Sequence, residues 1–175
     1  FAEMHRVLAP GGLFLFTTLG PDTLREFRLA SLPLIGELLM RPNPTGTRML
    51  WRKAFADPAP FVTDEFVRTK VTLAKAPGAV GAFLATLRSF VGFRGFLPQG
   101  VAALHAALPR VAAPTVVVWG RADQLLPPAQ AEALRRLLPQ VEIQIWDRCG
   151  HLPQIECAQR FNELALEFWG RVDRG

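Results

Sequence analysis

The chain reads as an α/β protein with about three parallel strands and a helical lid, on three observations. Residues 13–16 and 115–119 are continuous apolar runs, the pattern of strands buried on both faces. The order of elements is strand, helical block, strand, helix, strand, helix, which implies parallel pairing through right-handed crossovers. Residues 33–110, between the first two strands, are rich in Pro, Gly and Phe and hold no strand candidate of comparable strength, so they form a lid.

Each element has a local reason. Phe1, Met4 and Leu8 recur at helical spacing, and Pro10, Gly11 and Gly12 stop that helix. The strand at 13–16 leaves through a loop to Pro21. Thr23 and Glu26 then form a capping box, so a short helix begins near Leu24 and is disturbed by Pro33. Within the lid, Thr63 caps a helix whose first turn carries Asp64 and Glu65, and which runs to about Ala76. A second helix starts near Pro77, sets Val80, Phe83, Leu84, Leu87 and Val91 on one face, and stops at Gly92. A third covers residues 101–108.

Beyond Pro114 the valine-rich run 115–119 is a buried strand. Pro127 and Pro128 suit the first turn of the next helix, which faces inward through Ala131, Leu134 and Leu138 and ends at Pro139. Residues 141–146 alternate Val141, Ile143 and Ile145 against Glu142 and Gln144, as a sheet-edge strand does. The last helix, 158–171, buries Phe161, Leu164, Ala165 and Phe168.

Composition narrows the function classes. The chain has 175 residues, about one domain, with a net charge of +5. Nine Lys or Arg residues precede Lys75. No basic run is interleaved with aromatics, which argues against nucleic-acid binding. No apolar run reaches membrane-span length, and no secretory signal order is present. Two cysteines, Cys149 and Cys157, are too few for a disulfide framework and read as reduced thiols of a cytoplasmic protein. With His151 they lack the paired spacing of a metal site, so no metal is expected. The start at Phe1, within a helical pattern, suggests a fragment or a processed product.

Two residues carry the chemistry. Asp123 follows the strand at 115–119 and His151 follows the strand at 141–146, so both belong to the carboxyl edge of the sheet, where ligands gather in such folds. Adjacent parallel strands lie about 4.8 Å apart, close enough for two such loops to touch. An imidazole becomes a general base when one nitrogen donates to a carboxylate and the other faces a nucleophile. The plainer readings are a helix-entry aspartate and a loop histidine. Gly120 and Gly150 permit tight turns beside the pair. A Gly-x-Ser-x-Gly turn is absent. Ser89 sits in a lid helix and Ser31 just before Pro33, while Cys149 is too near His151 in sequence to serve it. His5 and His105 read as helix-surface or packing residues.

Residues 114–128, Pro-Thr-Val-Val-Val-Trp-Gly-Arg-Ala-Asp-Gln-Leu-Leu-Pro-Pro, resemble the acid-bearing segment of α/β-hydrolases. Residues 149–156, Cys-Gly-His-Leu-Pro-Gln-Ile-Glu, resemble the histidine loop of the same family. The resemblance covers about residues 29–172. It implies a partial α/β-hydrolase fold, with Asp123 as triad acid and His151 as triad base of a carboxylic-ester hydrolase that lacks its nucleophile and is inactive alone. Residues 5–28, with Arg-Val-Leu-Ala-Pro-Gly-Gly and then Gly-Pro-Asp-Thr-Leu, instead resemble a class I S-adenosylmethionine methyltransferase of the malonyl-carrier-protein type. Its glycine-rich cofactor loop has no counterpart here, so no cofactor is expected.

The expected organisation is therefore a methyltransferase-like segment (1–28), a lid (29–112) and a C-terminal hydrolase segment (113–175). Expected partners are a small ester or acyl substrate once the site is completed, an acidic acyl carrier protein to match the positive charge, and further copies of the chain, because the strand at 13–16 leaves an apolar edge.

Overall fold

The computed structural model describes residues 25–172. The predicted helix at 1–8, the strand at 13–16, the Thr23 cap, His5 and most of the methyltransferase-like segment lie outside the described residues.

The helical block opens with α1 (Arg25–Ala30), α2 (Ile35–Leu39) and α3 (Pro44–Arg52). Asn43 caps α3 by accepting the Gly46 amide at 2.7 Å, and Pro44 occupies the first turn, where no amide donor is needed. The Thr63 cap is formed as the sequence predicts: its hydroxyl accepts the Phe66 amide at 3.1 Å and starts α4 (Asp64–Ala74). Gly78, at φ 79°, turns the chain into α5 (Ala79–Phe90). Of the predicted α5 face, Leu84 and Leu87 are buried, whereas Phe83 is exposed.

One feature differs from the sequence reading of this region. Val91–Gly92 (β1) and Gly95–Phe96 (β2) form an antiparallel hairpin directly after α5. Two residues per strand are too few to display a period-2 pattern, and the turn depends on Gly95 at φ 115°. The helical block ends with α6 (Pro98–Ala107) and a 3-10 turn, Leu108–Arg110.

The sheet follows. Strand β3 (Val116–Gly120) pairs in parallel with β4 (Glu142–Trp146), in the register Val116↔Glu142 to Gly120↔Trp146. These are two of the roughly three parallel strands expected. Helix α7 (Ala129–Leu137) crosses between them, and α8 (Pro153–Glu156) and α9 (Ala158–Val172) complete the chain. Alternation along β3 divides the core. Val117 and Trp119 pack with Ala131, Leu134 and Leu138 on the α7 side. Val116 packs with Trp146, Leu164 and Phe168 on the α9 side. Helices thus cover both faces, and this is why the β3 run reads as continuously apolar. On β4 the predicted partly polar face satisfies itself. Gln144 donates to Glu142 at 2.9 Å and accepts from the Trp146 indole at 3.0 Å.

Candidate active site

The parallel register sends the loops after β3 and β4 out of the same edge. They are stitched together at once. The Arg121 amide donates to the Trp146 carbonyl and the Ala122 amide to the Cys149 carbonyl, each at 2.9 Å. Gly120 lies against the second loop so closely that a Cβ there would stand 2.0 Å from the Gly150 carbonyl oxygen. At Gly150 a Cβ would stand 2.7 Å from the Ala54 carbonyl oxygen. The expectation that these glycines relax tight turns is therefore corrected. They are needed for close approach, and the positive φ in this loop falls on Arg148 instead. On the solvent side of the two loops, the Arg121 and Asp147 side chains form an ion pair.

Asp123 divides its carboxylate between two tasks. Oδ1 accepts the amides of Leu125 at 2.8 Å and Leu126 at 2.9 Å, which fixes the side chain within its own loop. The indole of Trp119 donates to the Leu126 carbonyl at 3.1 Å and closes that loop from the core side. Oδ2 is left to face His151 Nδ1, at 2.9 Å. The Asp123 side chain is only 4 % exposed, against 23 % for His151. An ionised carboxylate only accepts, so Nδ1 carries the proton of this bond. Neutral imidazole then holds its lone pair on Nε2, which has no hydrogen-bond partner among the described residues and can take a proton from a nucleophile.

The His151 loop is also held from residues 54–56 of the helical block. The His151 amide donates to the Ala54 carbonyl at 2.8 Å. Glu156 accepts the Gly150 amide with one carboxylate oxygen and the Ala56 amide with the other, both at 2.6 Å. Neither residues 54–56 nor Glu156 has a role legible from spacing, since the partners are about a hundred positions apart.

The other reactive side chains are turned elsewhere. Ser31 donates to the Arg28 carbonyl and Ser89 to the Thr86 carbonyl, each at 2.7 Å. Cys149 is fully buried beside Trp146, Leu164 and Phe168. Burial, aided by a hydrogen bond with Cys157, pushes its thiol up to about 12. His105 is exposed on α6, as its sequence context suggests.

Comparison with known proteins identifies the family and the fold. A family model described as the alpha/beta hydrolase family matches residues 5–164. The match extends upstream of the expected boundary at residue 29, through the methyltransferase-like segment. A curated relative, the 2-hydroxy-6-oxononadienedioate/2-hydroxy-6-oxononatrienedioate hydrolase of Cupriavidus pinatubonensis, is 26% identical over 166 residues, covering 94% of this chain and 53% of the relative. Among solved structures, the meta-cleavage product hydrolase of Pseudomonas fluorescens superposes with a TM-score of 0.67 at 22% identity, over 89% of this chain and 53% of that one. The 2-hydroxy-6-oxo-6-phenylhexa-2,4-dienoate hydrolase of a Rhodococcus species gives a TM-score of 0.63 at 22% identity, over 87% of this chain and 51% of that one. The chain spans about half the length of these proteins. By the extent of the family match, supported by the shared fold, the chain belongs to the alpha/beta hydrolase family.

Proposed function

We propose that Asp123 and His151 are the acid and base of a hydrolase acting at a carbonyl carbon, and that this chain supplies them without the nucleophile. The observation that carries the reading is the 2.9 Å contact of His151 Nδ1 with a buried Asp123 carboxylate that is itself pinned by two amides. In the proposed step a nucleophile oxygen attacks the carbonyl carbon and gives its proton to His151 Nε2. Asp123 stabilises the imidazolium, and the same proton then passes to the leaving group. The substrate class is a carboxylic ester or an oxo acid of the kind in the relatives' names, since both present such a carbon. Neither Ser31 nor Ser89 stands in a nucleophile turn, so the chain alone is inactive in this reading.

The test is hydrolysis of a short p-nitrophenyl ester by the isolated chain. The expected rate is that of buffer. Turnover that survives both Asp123→Asn and His151→Ala would sink the assignment. Turnover lost in both would retain the pair and reveal a nucleophile within the chain.

A second reading, a half-domain that pairs with another chain, is favoured by exposed apolar side chains. Leu34 is 82 % exposed, Leu166 66 % and Leu38 64 %. An acyl carrier protein as partner is supported by the positive net charge alone. For residues 5–28, a family match that begins at residue 5 favours a hydrolase origin over a methyltransferase remnant.

A further inference from the structure

Glu156 ends α8, a single turn that begins two residues after His151. Its carboxylate folds back and takes one amide from each of two distant segments, Gly150 in the histidine loop and Ala56 in the lid, both at 2.6 Å. The lid segment is itself packed into the core. Ala54 and Phe55 are buried, and Phe55 stacks on Phe61 with ring centres 4.9 Å apart. The His151 amide donates to Ala54, so residues 150 and 151 are bound to residues 54 and 56 through three hydrogen bonds, two of them on one carboxylate. The opposite side of the loop is held by the Ala122 amide on the Cys149 carbonyl.

We infer that Glu156 is a positioning residue: it clamps the histidine loop to the lid and so holds the His151 ring on Asp123. This rests on the reading of Asp123 and His151 as acid and base. The residue type follows from the chemistry. Both neighbours are N–H donors, and a carboxylate offers two acceptor oxygens with no donor. A glutamine keeps one acceptor and turns an NH2 group toward the other donor. Bonds to a charged acceptor are also stronger than neutral ones. Without the clamp, Gly150 loses its tie to residue 56 and the loop keeps only the His151 amide on Ala54 as a tie to that segment, while the ring contact at 2.9 Å depends on that main chain.

The test uses the full chain and reads the His151 Nδ1 proton by NMR, with the Trp119 indole proton, bonded to the Leu126 carbonyl, as an internal report that the sheet and acid loop are intact. In the unaltered chain the Nδ1 proton is slow to exchange with water, and the Gly150 and Ala56 amides are protected. In Glu156→Ala the Nδ1 proton exchanges about ten-fold faster or more, the range set by losing a hydrogen bond to a charged group, while the Trp119 signal persists. Glu156→Gln falls between the two. An Nδ1 proton that exchanges equally slowly in both variants overturns the positioning role and leaves the Asp123–His151 reading standing. Absence of the slow Nδ1 proton in the unaltered chain overturns that reading, and the role with it. If Glu156→Ala loses the Trp119 signal, Glu156→Gln decides alone: intermediate exchange supports the clamp and unchanged exchange overturns it.

Discussion

Cys149 lies two residues before His151, yet its thiol is closed to the chemistry beside it. Burial, helped by the hydrogen bond with Cys157, pushes it up to about 12, so the thiolate that would be nucleophilic is scarce at neutral pH. Iodoacetamide at pH 8 should therefore label half-buried Cys157 in the folded chain and reach Cys149 only after unfolding. Peptide mass spectrometry with and without urea checks this, and labelling of native Cys149 would count against its sealed position. At this scale the sequence is uneven as a guide. Asp123 and His151 are legible because each follows a strand-like run, and a loop after a parallel strand has only one edge at which to emerge. Glu156 is not legible, because its meaning lies in an amide of residue 56, and nothing in local spacing points across a hundred positions.

Among the elements, α5 is tied to the α1–α2 turn through one side chain. Arg88 donates to the carbonyls of Ser31 and Leu32, each at 3.1 Å, and pairs with Glu37 at 2.8 Å. The guanidinium lowers Glu37 from the usual 4.5 to about 2. A depressed carboxylate contributes stability that is fully present above its unfolded value and is lost as pH falls through its folded value. The Glu37 contribution is thus complete above about pH 4.5 and fades toward pH 2. Replacing Arg88 with Gln should lower the urea midpoint at pH 6, and the variant should lose less on going to pH 3 than the unaltered chain does. Equal acid losses in the two would exclude the pair as a source of acid sensitivity. Caps and long apolar faces in these elements were readable, Thr63 and the Ala131–Leu134–Leu138 stripe among them. The hairpin at Val91–Phe96 was not, because a two-residue strand has no period to read.

For the molecule as a whole, the charge and the surface pull in different directions. A net charge of +5 opposes self-association, while the exposed Leu34, Leu38, Met49, Leu73, Leu166 and Trp169 favour it. The apolar surface should prevail near physiological salt, where repulsion is screened beyond about 8 Å. Size-exclusion chromatography with light scattering is then expected to give species larger than the 19.4 kDa chain, increasing with salt. A monodisperse monomer at both low and high salt would refute the half-domain reading. Among the described residues, no helix is long and apolar enough to cross a membrane.

By itself the sequence determined the α/β class, the parallel order of the last two strands, the faces of α7 and α9, and the edge at which Asp123 and His151 emerge. Each of these follows from periodicity or from the chirality of crossovers, which are properties of neighbouring residues. Tertiary structure alone decided that Asp123 splits its carboxylate between its own loop and His151, that Gly120 and Gly150 serve close approach, and that Glu156 accepts amides from both residue 56 and the histidine loop. These are contacts between segments far apart in the chain, and their energies depend on distances that no local pattern encodes.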